Sequence, residues 1–172
     1  MTTTSAASTA AGREAGVVAL FEAHHDELLR LAVLLAGDLA AGEELVQEAF
    51  VEAWRRWDGI RSTATAGYLR SVIVNLARRT HRRRRLELRG LRAEGRPAPD
   101  DPDSRIDLAR ALALLPPRKR ACVVLRYYSD LSPEDTAATL GVSVGTVKSQ
   151  TAKALRLLAR HLDQQGGAGG PG

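Results

Sequence analysis

The chain has 172 residues, with 25 Lys and Arg against 20 Asp and Glu, a formal net charge of +5 and a single cysteine. This length suits one domain or two small ones, and one cysteine excludes both an intramolecular disulfide and a cysteine-rich zinc site. The sequence lacks a signal-peptide core and any apolar run near the roughly 20 residues of a membrane span. We therefore expect a cytoplasmic protein that needs no metal or cofactor.

The first half of the chain has the pattern of an all-α unit. Residues 1–16 are small and polar without periodicity, which predicts a disordered tail. From 17 to 88, apolar stripes with helical spacing recur at 28–35, 45–57 and 68–77, and no segment alternates as a strand would. Thr65 is the predicted N-cap of the third helix.

The second half is set apart by a change in composition. Residues 89–105 are rich in Gly, Pro, Asp and Arg, which predicts an exposed flexible linker. Helical spacing returns over 106–163, where Pro116 and Pro117 separate one helix from the next at roughly 118–128. The glycine-rich end, 164–172, predicts a flexible tail. The expected fold is all-α, with two small helical domains on a flexible linker.

Two consecutive helices near the C terminus form a helix-turn-helix pattern. Ser132 and Pro133 predict the start of the first helix, and Gly141 predicts its left-handed end. Ser143 is the expected cap of the second helix, whose inner face would consist of Val147, Thr151, Ala154, Leu155 and Leu158.

The outer face of that second helix carries side chains suited to DNA. Gln150 can read a base edge with two hydrogen bonds, and lysines can neutralise phosphates. An ordinary amphipathic helix could have the same spacing, but the caps and the glycine turn together favour DNA binding. The candidate DNA-binding residues are Ser143, Thr146, Lys148, Ser149, Gln150 and Lys153.

A basic cluster follows the third predicted helix of the first unit. Eight arginines lie between residues 78 and 92, opposed only by Glu87, and the rest of the chain is slightly acidic. Such a local excess indicates a polyanionic partner. Residues 82–85 surround the helix and cannot share one face, so Arg84 and Arg85 could instead be a charged helix end that leads into the linker.

These motifs resemble those of the bacterial sigma-70 family. The stretch GVSVGTVKSQTAKALRLLARHL is similar to region 4, which reads the −35 promoter element, although LuxR-type regulators have a similar helix-turn-helix. The stretch GDLAAGEELVQEAFVEAWRRWDGI is similar to the core-binding part of region 2. With region 2 at 17–88, region 4 at 106–163 and little between them, the chain is most similar to the extracytoplasmic-function (ECF) class, and within it to the SigE-like actinobacterial group.

The resemblance implies partners and a role. It implies a factor that binds the β′ clamp helices and β flap of core RNA polymerase, directs the enzyme to −35 and −10 elements, and assists promoter opening. Many relatives also bind an anti-sigma factor. The location implied is the cytoplasm, at the nucleoid, and the protein would not be an enzyme.

The resemblance also implies roles for single residues. Glu44, Gln47, Glu48 and Val51 would bind polymerase through one outward patch, whose acids and amide suit arginine-rich helices. The loop that begins at Ile60, with Arg61, Ser62 and Thr63, would hold an extruded −10 base, and Asn75 would lie on the reading helix. The residues implied to follow single-strand phosphates are Arg70, Arg78, Arg79, Arg82 and Arg83. Arg78 departs from the family, which often has an acidic residue there.

Two other functions fit the sequence less well. A LuxR-like regulator would bind duplex DNA without polymerase, but residues 17–85 lack the buried strands and phosphorylatable aspartate of a receiver domain. An enzyme would have to use His24 and His25 with Asp26 or Glu27. Adjacent histidines on a helix point about 100° apart, which makes them poor joint ligands.

Overall fold

The computed structural model describes residues 3–60, 66–90 and 104–166, and it describes side chains over 11–60, 66–83 and 108–161. Within these ranges every regular element is a helix, which confirms the all-α prediction. The predicted linker core at 91–103, the end of the tail at 167–172, and Thr65 lie outside the described residues. The helices are α1 (Thr3–Ala36), α2 (Leu39–Arg55), α3 (Trp57–Ile60), α4 (Ala66–Gly90), α5 (Ser104–Ala113), α6 (Pro117–Val123), a π-helical turn (Val124–Tyr128), α7 (Pro133–Leu140) and α8 (Val144–Gly166).

Helix α1 begins at Thr3, inside the segment 1–16 for which a disordered tail was predicted. Alanine-rich sequence favours helix even without an apolar stripe, and tertiary contacts hold this part of α1 in place. Arg13 pairs with Asp58 at 2.6 Å and lies 5.8 Å above the ring of Trp54. Gly16 lies so close to Trp57 that a Cβ atom would overlap the indole ring.

Helices α1, α2 and α4 pack together as an N-terminal unit, as the three apolar stripes predicted. Its buried side chains include Leu31, Val46, Phe50 and Ile73. Trp54 was predicted to face the core but is 40% exposed, because it lies on the outer side of α2 under Arg13.

Helices α5 to α8 form a C-terminal unit. Pro117 occupies the first turn of α6, which confirms the predicted break at the two prolines. The predicted helix over 118–128 is α-helical only to Val123, and its last turn is π-helical, with the Ser129 amide donating to the Val124 carbonyl. Leu108, in the first part of the predicted helical spacing over 106–163, is 52% exposed.

The two units lie against each other, a contact that the sequence did not predict. Helix α1 contacts α5, and α4 contacts α6 and α7. The linker boundaries also differ from the predicted 89–105, since α4 continues through Gly90 and α5 begins at Ser104. Likewise, α8 continues to Gly166, past the predicted start of the tail at 164.

Candidate promoter and polymerase interface

The helix-turn-helix has the geometry that its sequence predicted. The Ser132 side chain accepts a hydrogen bond from the Asp135 amide at 2.9 Å, and Pro133 is the first helical residue of α7. Gly141 ends α7 with a φ of 63°, which places it in the left-handed region where glycine is favoured. The Val142 amide then donates to the Ala137 carbonyl at 3.1 Å and closes the turn.

Helix α8, the recognition helix, is held at both its start and its inner face. The Ser143 hydroxyl oxygen accepts from the Thr146 amide at 3.2 Å and lies 2.9 Å from the Thr146 hydroxyl. Val147 is 1% exposed and Ala154 is fully buried, so the inner face is largely as predicted. Leu155 is the exception: it is 40% exposed and does not belong to that face.

The predicted DNA-binding residues of α8 share its outer side, but they differ in their present contacts. The Ser143 and Thr146 hydroxyls serve the helix cap, and the Ser149 hydroxyl donates to the Thr146 carbonyl at 3.0 Å. Lys148 and Lys153 are exposed and Gln150 is half-buried. The side chains of these last three form no hydrogen bond with the described part of the chain, so their polar groups are available to a partner.

Helix α4, which was predicted to read the −10 element, presents a basic exposed side. Asn75, Arg79, Arg82 and Arg83 are exposed, as the predicted −10 role requires. Arg78 is exposed too, but its guanidinium donates to the Leu140 carbonyl of α7 at 2.7 Å.

Two other residues predicted to contact the −10 element are turned toward protein. Arg70 pairs with Glu27 at 3.0 Å and has only 18% of its side chain exposed, so it stabilises the contact between α4 and α1. Ile60 is the last residue of helix α3 and is partly buried against the core, and its role at the −10 element stays a prediction. Arg61, Ser62 and Thr63 lie outside the described residues.

The outer side of α2 carries the acidic face, defined as Glu44, Gln47, Glu48 and Val51. All four side chains are exposed, Val51 by 46%, because the apolar stripe of α2 turns the opposite side toward α1 and α4. Asp38 caps the start of this helix, where its carboxylate accepts from the Ala41 amide at 2.8 Å. Glu44 and Glu48 also line a shallow cleft with Thr80, His81 and Arg83 of α4.

Sequence reasoning missed Arg120, a buried cation in α6. It is 5% exposed, and burial lowers the pKa of its guanidinium to about 10. Its neighbours Arg118 and Lys119 are also basic, so residue type does not distinguish Arg120 as the buried one. The only signal in the sequence that Arg120 is buried is the apolar run that follows it. Cys122, on the same helix, is buried, and that burial raises the pKa of its thiol.

Comparison with known families identifies both halves of the chain. Residues 20–87 match the model described as Sigma-70 region 2, and residues 105–158 match the model described as Sigma-70, region 4. These matches support the sigma-factor interpretation over a LuxR-like regulator.

Curated relatives agree over most of the chain. The RNA polymerase sigma-E factor of Streptomyces avermitilis is 37% identical over 152 residues, which cover 81% of this chain and 81% of that protein. The ECF RNA polymerase sigma factor SigL of Mycobacterium tuberculosis is 34% identical over 171 residues, 92% of this chain and 96% of that protein.

Solved structures show the same fold. The sigma factor RpoE of Bartonella quintana, in complex with the anti-sigma factor NepR, superimposes with a TM-score of 0.67 at 26% identity, over 83% of this chain and 94% of that one. CnrH, in complex with the cytosolic domain of CnrY, superimposes with a TM-score of 0.64 at 25% identity, over 92% of this chain and 95% of that one.

Among the described residues, no helix is both long and apolar enough to cross a membrane. The chain belongs to the sigma-70 family, in its extracytoplasmic-function class.

Proposed function

We propose that this ECF sigma factor joins core RNA polymerase through the acidic face of α2 and places α8 on the −35 element and α4 on the −10 element. The observation that carries this proposal is the presence of all three surfaces, each exposed, on one chain. A duplex-binding regulator would need the recognition helix alone. A factor that starts transcription needs the polymerase contact and a second DNA contact as well.

At the −35 element, Gln150 and the two lysines of α8 do different work. The Gln150 amide can donate to and accept from one base edge, which specifies sequence. The lysines neutralise phosphates and hold α8 in register without reading bases. The cap formed by Ser143 and Thr146 fixes the start of α8, where the helix N-terminus would favour a phosphate.

At the −10 element, α4 supplies an asparagine for reading and arginines for holding an unpaired strand. Opening a base step costs a few kcal/mol, and phosphate contacts that release counterions offset part of that cost. Asn75, Arg79, Arg82 and Arg83 are the exposed candidates for these contacts. A base extruded by the segment at 61–65 is part of the same proposal.

The acidic face gives the chain its polymerase contact. Two carboxylates and an amide at helical spacing can form charge-assisted hydrogen bonds with arginine-rich helices such as the β′ clamp, and the C-terminal unit would contact the β flap. The proposal puts the protein in the cytoplasm, at the nucleoid, as a factor without catalytic activity of its own. It also includes an anti-sigma factor as a partner, because both structural neighbours were solved with such a partner or with a cytosolic domain bound.

The test is transcription in vitro with purified core polymerase on genomic fragments. We expect RNA starts at defined sites only when the protein is present, and we expect the protein to co-purify with core. Glu44→Arg combined with Gln47→Ala reverses charge on the acidic face and should abolish both. Glu43→Arg, an exposed acid on α2 outside that face, is the matched control. If the double variant still co-purifies with core, the acidic face is not the contact.

A further inference from the structure

The boundary between the two units is a close contact of helix ends. Helix α1 ends at Ala36, and Gly37 follows with a φ of 97°, which an L side chain rarely adopts. A Cβ atom at Gly37 would lie 3.0 Å from the Cβ of Ala113, the last residue of α5, and 3.2 Å from the Arg120 guanidinium. The carboxyl ends of α1 and α5 therefore meet around Arg120.

Arg120 binds both of these helix ends. Its Nη1 donates to the Leu35 carbonyl of α1 at 2.9 Å, and its Nη2 donates to the Ala113 carbonyl at 2.9 Å. Because a helix carboxyl end carries partial negative charge, a cation there is favourable. The guanidinium remains charged at neutral pH, since its pKa of about 10 lies well above 7. A side chain of the C-terminal unit thus caps a helix of the N-terminal unit.

Arg78 makes the opposite contact. It lies on α4 of the N-terminal unit, and its Nη1 donates to the carbonyl of Leu140 at 2.7 Å. Leu140 is the last residue of α7, so this bond also reaches a helix carboxyl end. Each unit therefore supplies one arginine to the end of a helix in the other unit.

We propose that Arg78 and Arg120 form a reciprocal latch that holds the two units against each other in the free chain. The two acceptors in the opposite unit, the Leu35 and Leu140 carbonyls, belong to the backbone, so the arginine side chains are the parts of the latch that a substitution can remove. Arg30 on α1 adds a weaker contact, with its Nε donating to the Tyr128 hydroxyl at 3.2 Å. A hydrogen bond from a charged group to a carbonyl changes an equilibrium about tenfold or more.

The latch explains why Arg78 departs from the family pattern noted in the sequence. An acidic side chain at position 78 could not donate to the Leu140 carbonyl and would be repelled by the end of α7. The latch also makes α7 and DNA compete for the Arg78 guanidinium, a consequence that rests on the proposed function. The latch itself is a property of the free chain and is tested without polymerase or DNA.

The experiment measures the distance between the units by pulsed electron paramagnetic resonance. Spin labels are attached through Ala23→Cys on α1 and Ala159→Cys on α8, two exposed positions in different units. The native Cys122 is buried and reacts poorly with the label. The variants are Arg78→Met, Arg120→Met and the two combined, since methionine keeps an unbranched side chain but has no N–H donor.

Neighbouring arginines provide matched controls. Arg79→Met on α4 and Arg118→Met on α6 remove exposed guanidinium groups that form no hydrogen bond with the described residues. We expect the controls to keep the single short-distance population of the labelled chain in which no arginine is replaced. Arg78→Met should lower the ratio of closed to open chains about tenfold, and the double variant about a hundredfold, so that a longer and broader population replaces the short one.

Far-UV circular dichroism on each variant separates opening from unfolding. Arg120→Met removes a buried cation and could lose helicity for that reason. In that case the distance distribution of Arg78→Met tests the latch, since Arg78 is exposed and lies outside both cores. A distance distribution for Arg78→Met and for the folded double variant identical to that of the controls would overturn the proposal.

Discussion

The two units differ in what their cores contain. In the N-terminal unit, every described side chain in the buried core is apolar, whereas the C-terminal unit buries Arg120 and Thr136 among its apolar residues. Arg120 finds one of its acceptors, the Leu35 carbonyl, in the other unit. The C-terminal unit therefore uses a backbone carbonyl of its neighbour to satisfy part of a buried charge, whereas the described core of the N-terminal unit contains no charge that needs a partner.

The largest expected effects test whether the cores are coupled. Leu31→Ala in the N-terminal unit and Leu125→Ala in the C-terminal unit each empty a site that is at most 1% exposed. Each should lower the free energy of unfolding by about 2–5 kcal/mol, measured by urea denaturation with circular dichroism. We expect both to shift one shared transition, because the units are held together. Val18→Ala, at a position 48% exposed, is the control. Two separate transitions, each moved by only one variant, would contradict the coupling.

The next effect separates the two DNA-facing helices by their response to salt. Replacing Arg79, Arg82 and Arg83 with Ala should impair open-complex formation far more than binding of a −35 duplex. The slope of log affinity against log salt concentration for single-strand binding should become less steep by about 2, because each of the three lost phosphate contacts contributes roughly 0.7. Arg78 is kept, so that its bond to Leu140 stays intact. Equal losses in both assays would indicate that the arginines are a general basic tether.

A smaller effect tests which helix reads which element. Gln150→Ala should reduce preference at one or two −35 base pairs by about 1–3 kcal/mol, because the amide that reads the base edge is lost. Competition binding with substituted −35 duplexes measures this change. Asn75→Ala on α4 is the comparison variant and should leave −35 preference untouched. An unchanged preference for Gln150→Ala would remove Gln150 from the reading residues.

The smallest effect concerns the other buried polar residue. Thr136 is fully buried, and its hydroxyl has no hydrogen-bond partner within the described parts of the chain. Thr136→Val keeps the shape and removes that hydroxyl, so the free energy of unfolding should stay the same or rise by up to about 1 kcal/mol. The reverse exchange, Val46→Thr in the apolar N-terminal core, should cost about 1–3 kcal/mol. Thermal denaturation of the two variants measures both changes in the free energy of unfolding. A clear loss for Thr136→Val would show that the hydroxyl is bonded after all.

The features that could be predicted from sequence are those that depend on near neighbours in the chain. The caps at Ser132 and Ser143, the left-handed Gly141 and the proline break each follow from the properties of a few adjacent residues. The apolar stripes and the exposed acidic face follow from helical spacing. These features, together with the family resemblance, were enough to predict the all-α class and the helix-turn-helix.

The features that sequence could not predict depend on contacts between distant residues. Nothing near Arg120 in the chain indicates that it meets the end of α1, 85 residues earlier. Arg70 has the residue type and position of a phosphate ligand, yet it pairs with Glu27. Trp54 and Leu155 have core spacing, but each is 40% exposed. In each case the neighbouring helix, and not the local pattern, decides the outcome.

The contact between Gly16 and Trp57 has a practical consequence for studying this chain. Its only two tryptophans, Trp54 and Trp57, both belong to the N-terminal unit, where they contact α1 at Arg13 and Gly16. Intrinsic fluorescence excited at the indole band therefore monitors one half of the molecule without any label, while helical ellipticity averages over both halves. Superimposable melting curves from the two signals would mean that the halves come apart and unravel together. A lag between the curves would reveal an intermediate in which one half has already lost its structure.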